Sequence, residues 1–232
     1  PVVTEPTGSP AVTAPAEEEP APAQPEAPLF TYILQDGGAI LTGYNGSDVL
    51  LLIPEQVDGL PVVGIASLGN APTVRELRIP DGVRFLGAGA FDGCTALEVV
   101  HLGSGVSYID PALFLSCPNL IGILVDEEND TYRDIDGVVY NEEGDTLVAY
   151  PIGRKTAYDL PQGVSNIEAL DQPAYQNVVL NASNEEYTTV DGVTYTADMT
   201  TVVSCDPSKA GAYVMPDTVT TIQPNAFLQC VS

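Results

Sequence analysis

The sequence predicts a mostly β protein in which strands, joined by turns or short helical segments, coil into a solenoid with two β-hairpin insertions. Three observations predict this fold. Apolar residues return every 23 positions, a longer unit returns after 55 positions, and Gly, Pro, Asn and Asp punctuate short runs of Val, Ile, Leu and Tyr. Such runs, without a sustained helical period, are typical of strands and turns. A unit this short cannot bury its own apolar side, so neighbouring units must stack around one core.

The 23-residue repeat is clearest between residues 79–101 and 102–124. Val83 matches Val106, Phe91 matches Phe114 and Cys94 matches Cys117, while the residues between them vary. The same offsets recur in a C-terminal copy that begins at Met215. A weaker copy begins at residue 160, where Asp171, Gln172 and Tyr175 replace the Ala-Phe-Cys set. Equivalent apolar residues should therefore form buried rows, one coil above the next.

The 55-residue repeat predicts the hairpin insertions, near 126–159 and 181–214. Residues 136–140, read Asp-Gly-Val-Val-Tyr, match residues 191–195, read Asp-Gly-Val-Thr-Tyr. In the first block, strands at 138–140 and 146–150 flank a Glu-Glu-Gly-Asp turn. Alternating apolar strands around such a turn are typical of a β-hairpin.

Composition divides the chain into three parts. Residues 1–28 hold 8 of the 20 prolines, five glutamates, no aromatic residue and no basic residue. Such a segment cannot bury enough apolar surface to fold, so it is predicted to be a disordered Pro/Ala/Glu-rich linker, either a stalk or simply a disordered terminus. Residues 29–52 are predicted to be an N-terminal cap and residues 53–232 the solenoid. The last unit stops before its closing strand, which leaves open whether the repeat continues.

Charge excludes two classes of partner. The chain has 32 acidic and 7 basic residues, a formal net charge of −25. Nucleic acids and anionic membrane surfaces require clustered Lys and Arg, so neither is expected to bind. No apolar run approaches the roughly 20 residues that cross a bilayer, so no direct membrane span is expected.

These units resemble the leucine-rich repeats of BspA-like bacterial surface proteins across residues 30–230. The resemblance is carried by the pattern I-P-x-x-V-x-x-I-x-x-x-A-F-x-x-C-x-x-L and by the opening segment 40–46 followed by Ile53-Pro54. It implies a curved, right-handed leucine-rich-repeat solenoid, extracellular or on the surface of a bacterium. It also implies that the protein binds protein or host matrix and catalyses no reaction.

Catalytic and metal chemistry find little support in the residues. His101 is the only histidine, and the repeat places it on the outward side of a strand without a partnered nucleophile. The acidic stretch 126–130 lacks the glycine that a calcium loop needs at its sixth position, where Thr131 stands. We therefore expect no enzyme activity, no cofactor and no metal site.

The four cysteines are read in two groups. Cys94, Cys117 and Cys230 occupy one repeat position, and Cys205 aligns with Tyr150 in the hairpin block. Side chains stacked in parallel do not present the usual bridging geometry, so Cys94 and Cys117 are predicted to be buried free thiols. The pattern leaves the pairing of Cys205 with Cys230 open.

The best candidate site is the outward side of the repeat strands, where alternate side chains face solvent. This strand face is predicted to bind a protein or glycan, with host extracellular matrix among the candidates. Two alternatives stay open, a structural spacer within a larger surface protein and, more remotely, a carbohydrate-active enzyme. The ligand, the mode of attachment and the oligomeric state are not specified by the sequence. The predicted binding residues are Leu52, Arg78, Val99, His101, Leu124 and Val179.

Overall fold

The computed structural model describes residues 27–35, 37–110, 112–154, 158–166, 180–181, 185–206, 208–224, 226–227 and 230. In this part of the chain the regular elements are all β-strands, and no helix is present. The strands form a β-solenoid of about 7 turns, which confirms the fold predicted from the repeat. The segments between them are turns, bends and irregular loops. Residues 1–26, most of the predicted linker, lie outside the described residues.

Nineteen strands are present in the described residues, and most are short. In chain order they are β1 Phe30–Gln35, β2 Gly38–Tyr44, β3 Leu50–Leu52, β4 Gln56–Val57, β5 Leu60–Ile65, β6 Glu76–Arg78, β7 Phe85–Leu86, β8 Val99–Leu102, β9 Tyr108–Ile109, β10 Gly122–Val125, β11 Tyr132–Ile135, β12 Val138–Asn141, β13 Leu147–Ala149, β14 Tyr158–Asp159, β15 Leu180–Asn181, β16 Tyr187–Val190, β17 Val193–Thr196, β18 Thr201–Cys205 and β19 Thr221–Ile222.

The first parallel sheet has the order β10-β8-β6-β3, one strand from each successive coil. Leu51, Leu77, Val100 and Ile123 lie side by side in its register, and all four are buried. Because side chains alternate along a strand, the residues on either side of this row face solvent. The strand ladder begins at β3, within the segment predicted to be the cap.

The second sheet runs β1-β2-β5-β7-β9 along a different side of the coils. Its inward row consists of Leu41, Ile65, Leu86 and Ile109, which pair in register and are buried. The antiparallel hairpin of β1 and β2 covers the outer edge of β5. An unpaired sheet edge invites association with other chains, and this hairpin removes one such edge.

Equivalent residues of neighbouring units share one interior, as the repeat predicts. The rings of Phe91 and Phe114 are fully buried, with centroids 5.8 Å apart and a tilt of 46°. The same turn recurs in three units. In each of them the backbone amide of the cysteine donates a hydrogen bond to the backbone carbonyl of the phenylalanine three residues earlier. The pairs are Cys94 and Phe91 at 3.0 Å, Cys117 and Phe114 at 3.1 Å, and Cys230 and Phe227 at 3.0 Å.

The two insertions are three-stranded antiparallel sheets, β11-β12-β13 and β16-β17-β18. Each packs on the preceding coil through an equivalent tyrosine: the Tyr132 hydroxyl donates to the Ser107 carbonyl at 3.5 Å, and the Tyr187 hydroxyl to the Ser165 carbonyl at 2.9 Å. The last strand of the second sheet then pairs in parallel with β19. The insertions are therefore built into the stack of coils.

A basic side chain binds the Asp-Gly turn of each insertion through an ion pair and a hydrogen bond. Arg154 Nη1 lies 3.1 Å from Asp136 Oδ2, and Lys209 Nζ lies 2.6 Å from Asp191 Oδ2. Both cations also donate to the carbonyl oxygen of the same aspartate. Both aspartates have a positive φ, 53° and 50°, a conformation that Asp tolerates better than most residues. Two of the seven basic residues of the chain therefore stabilise the hairpin turns.

The cysteines separate into two buried thiols and one disulfide. Cys94 and Cys117 are free and fully buried, which confirms the prediction for these two positions. Cys205 and Cys230, whose pairing the sequence leaves open, form a disulfide with a Cα–Cα distance of 6.8 Å. This bond joins strand β18 of the second insertion to the C-terminal repeat unit.

Candidate binding surface

The strand face is an ordered array, because successive strands of the first sheet pair without a register shift. Leu52, Arg78, His101 and Leu124 form one outward row across β3, β6, β8 and β10. Leu50, Glu76, Val99 and Gly122 form the parallel row two residues earlier. The structure therefore brings together five of the six predicted binding residues. Val179, the sixth, lies outside the described residues.

Exposed leucines occupy the two ends of the strand face. Leu50 and Leu52 are 44% and 58% exposed on the first strand, and Leu124 is 38% exposed on the fourth. Val99 is only half-buried between them. Exposed apolar side chains that cluster inside a rim of polar residues often mark an interaction site. The face therefore offers an apolar patch of Leu50 and Leu52 at one end and a single exposed leucine, Leu124, at the other.

A charged cluster lies between the exposed leucines of the strand face. The Glu76 Oε1 atom accepts hydrogen bonds from Arg78 Nε at 2.9 Å and Arg78 Nη2 at 2.8 Å, and it lies 3.1 Å from His101 Nε2. The cluster forms because Glu76 and Arg78 stand two residues apart on one strand and His101 stands beside Arg78 on the next. The repeat register predicts that these three positions are neighbours, but it does not determine the contacts between their side chains.

Electrostatics on the strand face are nearly balanced, in contrast to the chain as a whole. The hydrogen bond from Arg78 is the largest influence on Glu76 and lowers the pKa of that carboxyl group. A second ion pair, Arg75 with Glu98 at 3.3 Å, flanks the cluster. Each acid of this group has a basic neighbour, so the face does not repel an acidic partner as the rest of the surface would.

Neither His101 nor the buried thiols form a catalytic arrangement in the part of the chain that the structure describes. The hydrogen-bonding partner of His101 is the carboxylate of Glu76, with no serine or cysteine in the cluster. Burial raises the pKa of Cys94 to about 11 and that of Cys117 to about 12. A thiol with so high a pKa is protonated at neutral pH and is a poor nucleophile.

The acidic stretch after β10 makes hydrogen bonds that stabilise the turn leading into the first insertion. Asp126 Oδ1 accepts from the Glu128 amide at 2.9 Å, and the buried Asn129 amide donates to the carbonyls of Gly103 and Val106. Asp134 Oδ1 accepts from the Val125 amide at 2.8 Å. Within the described residues, no group of three or more His, Cys, Asp or Glu side chains is placed to hold a metal ion.

Sequence reasoning missed a second outward surface, on the sheet of β5, β7 and β9. Phe85 and Tyr108 are 39% and 48% exposed and stack with ring centroids 5.7 Å apart and an interplanar angle of 12°. Both residues stand six positions after the start of their repeat units. The signal was therefore the recurrence of an aromatic residue at one outward repeat position.

Comparison with known proteins agrees with the repeat. Residues 63–135 match the family described as the BspA type leucine rich repeat region, with six copies. No curated protein matches the chain. No helix in the described part of the chain is long and apolar enough to cross a membrane.

Several solved structures of bacterial repeat proteins are similar to this chain. The leucine rich repeat protein of T. pallidum is 35% identical, with 41% of this chain and 46% of that one covered and a TM-score of 0.38. A leucine rich cell surface protein from Faecalibacterium prausnitzii A2-165 is 20% identical, with 87% and 66% covered and a TM-score of 0.45. This chain therefore spans less than half of the T. pallidum protein. The repeat spacing, the buried rows and the family match together place residues 63–135 in the BspA-type leucine-rich repeat family.

Proposed function

We propose that this chain is a non-enzymatic binding module, secreted or displayed on a bacterial cell surface, and that its strand face recognises a protein or glycan partner. The observation that carries the proposal is the set of exposed leucines, Leu50 and Leu52 at one end and Leu124 at the other, held in register on either side of the Glu76–Arg78–His101 cluster. A rigid sheet keeps these side chains in place before a partner arrives, which reduces the entropic cost of binding.

The cysteine chemistry and the family support a location outside the cytoplasm. Disulfides persist in oxidising compartments, and Cys205–Cys230 is such a bond. The F. prausnitzii structure is described as a leucine rich cell surface protein. The surplus of acidic over basic residues keeps the module soluble and limits adhesion to anionic envelopes.

The test is an array of extracellular matrix proteins and glycans probed with the whole chain and with Leu52→Asp and Leu124→Asp variants. A carboxylate introduced into a buried apolar contact is expected to weaken binding by about tenfold or more. Val190→Asp is the matched control, because Val190 is 48% exposed but lies on the second insertion. Equal binding by the wild type and both leucine variants would exclude the strand face, and no binding to any probe would favour a spacer.

A further inference from the structure

The N-terminal hairpin moves the open edge of the second sheet outward. β2 pairs with β5 and β1 pairs with β2, so β1 is the outermost strand of that sheet. In the part of the chain that the structure describes, β2 is the only strand that pairs with β1. An edge strand presents a row of backbone amides and carbonyls that can pair with another strand. The first end of the solenoid therefore carries a strand edge that can accept a partner.

The sequence of β1 lacks the features that usually protect an exposed edge. Phe30–Gln35 reads FTYILQ, with no charged residue, no proline and no glycine. The register shift within the hairpin places its extra residue, Thr42, in β2, so β1 itself is uninterrupted. Edge strands are commonly protected by charge, proline or a bulge, and a six-residue segment of high β-propensity without them is prone to pair with another strand.

Apolar side chains on both faces of this strand are exposed. Ile33 is 52% exposed and Leu34 is 68% exposed. Side chains at successive positions of a strand point to opposite faces, so neither face is covered at this point. A strand laid beside β1 would therefore remove apolar surface from water on each face.

The segment that precedes β1 in the chain is poorly suited to pair with it. A strand that turned back beside β1 would use the residues directly before it, and prolines stand at positions 20, 22, 25 and 28. Proline has no amide hydrogen and cannot donate to a strand ladder. A strongly charged strand is equally unsuited, because β1 offers no charged side chain to pair with it. The edge fits an uncharged apolar strand.

A second copy of β1 is such a strand, and the sequence is complementary to itself in one antiparallel register. With Ile33 opposite the partner's Ile33, Tyr32 stands opposite the partner's Leu34, and Thr31 opposite the partner's Gln35. Aliphatic pairs, aromatic–aliphatic pairs and pairs of polar side chains are favourable across antiparallel strands. No two like charges are opposed along the strand, although each chain has a formal net charge of −25.

The backbone of β1 matches the same register. Gln35 pairs with Gly38 across the two residues that join the strands, which makes this a hydrogen-bonded pair. Because such pairs alternate along an antiparallel ladder, the amides of Tyr32 and Leu34 point away from β2. In the register centred on Ile33, these two outward-facing residues stand opposite each other and can exchange hydrogen bonds.

We propose that two copies of this chain associate through β1, with the two strands paired antiparallel about a two-fold axis so that their second sheets become continuous. Ile33 of each chain lies at the centre of the contact. A six-residue ladder buries less than the about 1,200–2,000 Å² of a stable interface, and the negative charge of both chains opposes their approach, so the association is weak. This surface is separate from the strand face and does not depend on the proposed function.

Sedimentation velocity of the whole chain at increasing concentration, up to about 1 mM, tests the association. The average mass is expected to rise from one chain toward two, and to rise further at about 1 M salt than at about 0.01 M, because the screening length falls from about 30 Å to about 3 Å. A contact that depended on opposite charges would weaken with salt instead.

Two variants locate the contact. Ile33→Lys places two ammonium groups opposite each other and is expected to lower the association constant by about tenfold or more. Val190→Lys is the matched control, because it makes the same change of charge at a residue that is 48% exposed on the outermost strand of the second insertion. This control is expected to associate like the wild type. Circular dichroism of each variant establishes that it is folded.

Cysteine cross-linking with oxidised glutathione tests the register. In the proposed dimer the two Cα atoms at position 33 lie about 4.5 Å apart, within the range of disulfides, so Ile33→Cys should cross-link between chains. The two Cα atoms at position 31 are offset by four residues, or more than about 13 Å, so Thr31→Cys should not. Val190→Cys, on the second insertion, measures random cross-linking.

Three results would overturn the proposal. They are a chain that stays monomeric at every concentration and salt, which would leave the edge to a strand of another protein, unchanged association in Ile33→Lys, and equal cross-linking by Ile33→Cys and Thr31→Cys. Association that appears only after residues 1–26 are removed would also overturn it, because it would assign the edge to this chain's own N-terminal segment.

Discussion

Phe91 lies at the centre of the stacked core, and its truncation measures how much the shared interior contributes to stability. The side chain is fully buried, and its ring lies 5.8 Å from that of Phe114 in the next coil. Phe91→Ala leaves a cavity and is expected to lower the free energy of unfolding by about 3–5 kcal/mol. Phe85, six residues earlier in the same unit and 39% exposed, is the matched control. Phe85→Ala is expected to cost less than half as much, because less apolar area is lost from the interior.

Coupling between the two buried rings tests their contact separately from their burial. In a double-mutant cycle, Phe91→Leu and Phe114→Leu should deviate from additivity by about 0.5–1.5 kcal/mol, since the rings pack against each other. Phe91→Leu with Val164→Ala, in a different core cluster, should add within about 0.5 kcal/mol. Urea unfolding followed by circular dichroism gives each value. Equal losses from Phe91→Ala and Phe85→Ala, or no coupling beyond the control pair, would refute the stacked core.

Three further results are expected. Thiol titration should find 2 reactive thiols in denaturant without reductant and 4 with it, whereas the native protein should react slowly at the two buried thiols. Arg78→Gln should raise the pKa of Glu76 toward its ordinary value, as measured by NMR titration. In the wild type, the stabilisation from ionised Glu76 is fully present above the ordinary carboxyl pKa. It is lost as the pH falls through the lowered pKa of Glu76 in the folded protein. Lys209→Met should destabilise the second insertion by about 1 kcal/mol or less in urea unfolding, because it removes the ion pair with Asp191 and keeps the apolar stem.

The stacked coils were predictable because they result from the periodic spacing of apolar residues in the sequence. A buried row needs an apolar side chain once per coil, so the spacing of Phe91 and Phe114 reveals the length of the unit. The same spacing predicts the outward row of Arg78, His101 and Leu124. The hairpins were predictable for a similar reason, since the Asp-Gly turns at 136–137 and 191–192 recur with alternating apolar strands around them.

The features that the sequence did not specify depend on contacts between different parts of the repeat. The Cys205–Cys230 disulfide joins a hairpin strand to a repeat turn, and no periodic alignment brings those two positions together. The bulge at Val63 was not predictable, because a bulge shifts register without a residue type that marks it. The salt-bridge cluster on the strand face depends on side-chain conformation, which a register alone does not determine.

The stacked solenoid requires that equivalent apolar residues 23 positions apart lie in contact inside one interior. An NMR experiment that detects nuclear Overhauser effects between the ring protons of Phe91 and Phe114 tests this most directly, because the two centroids lie 5.8 Å apart. Strong cross-peaks between the two rings, accompanied by cross-peaks between the methyl groups of Val83 and Val106, are the predicted result. Well-resolved rings that show no effect on each other, each surrounded by a different set of side chains, would contradict the stacked solenoid.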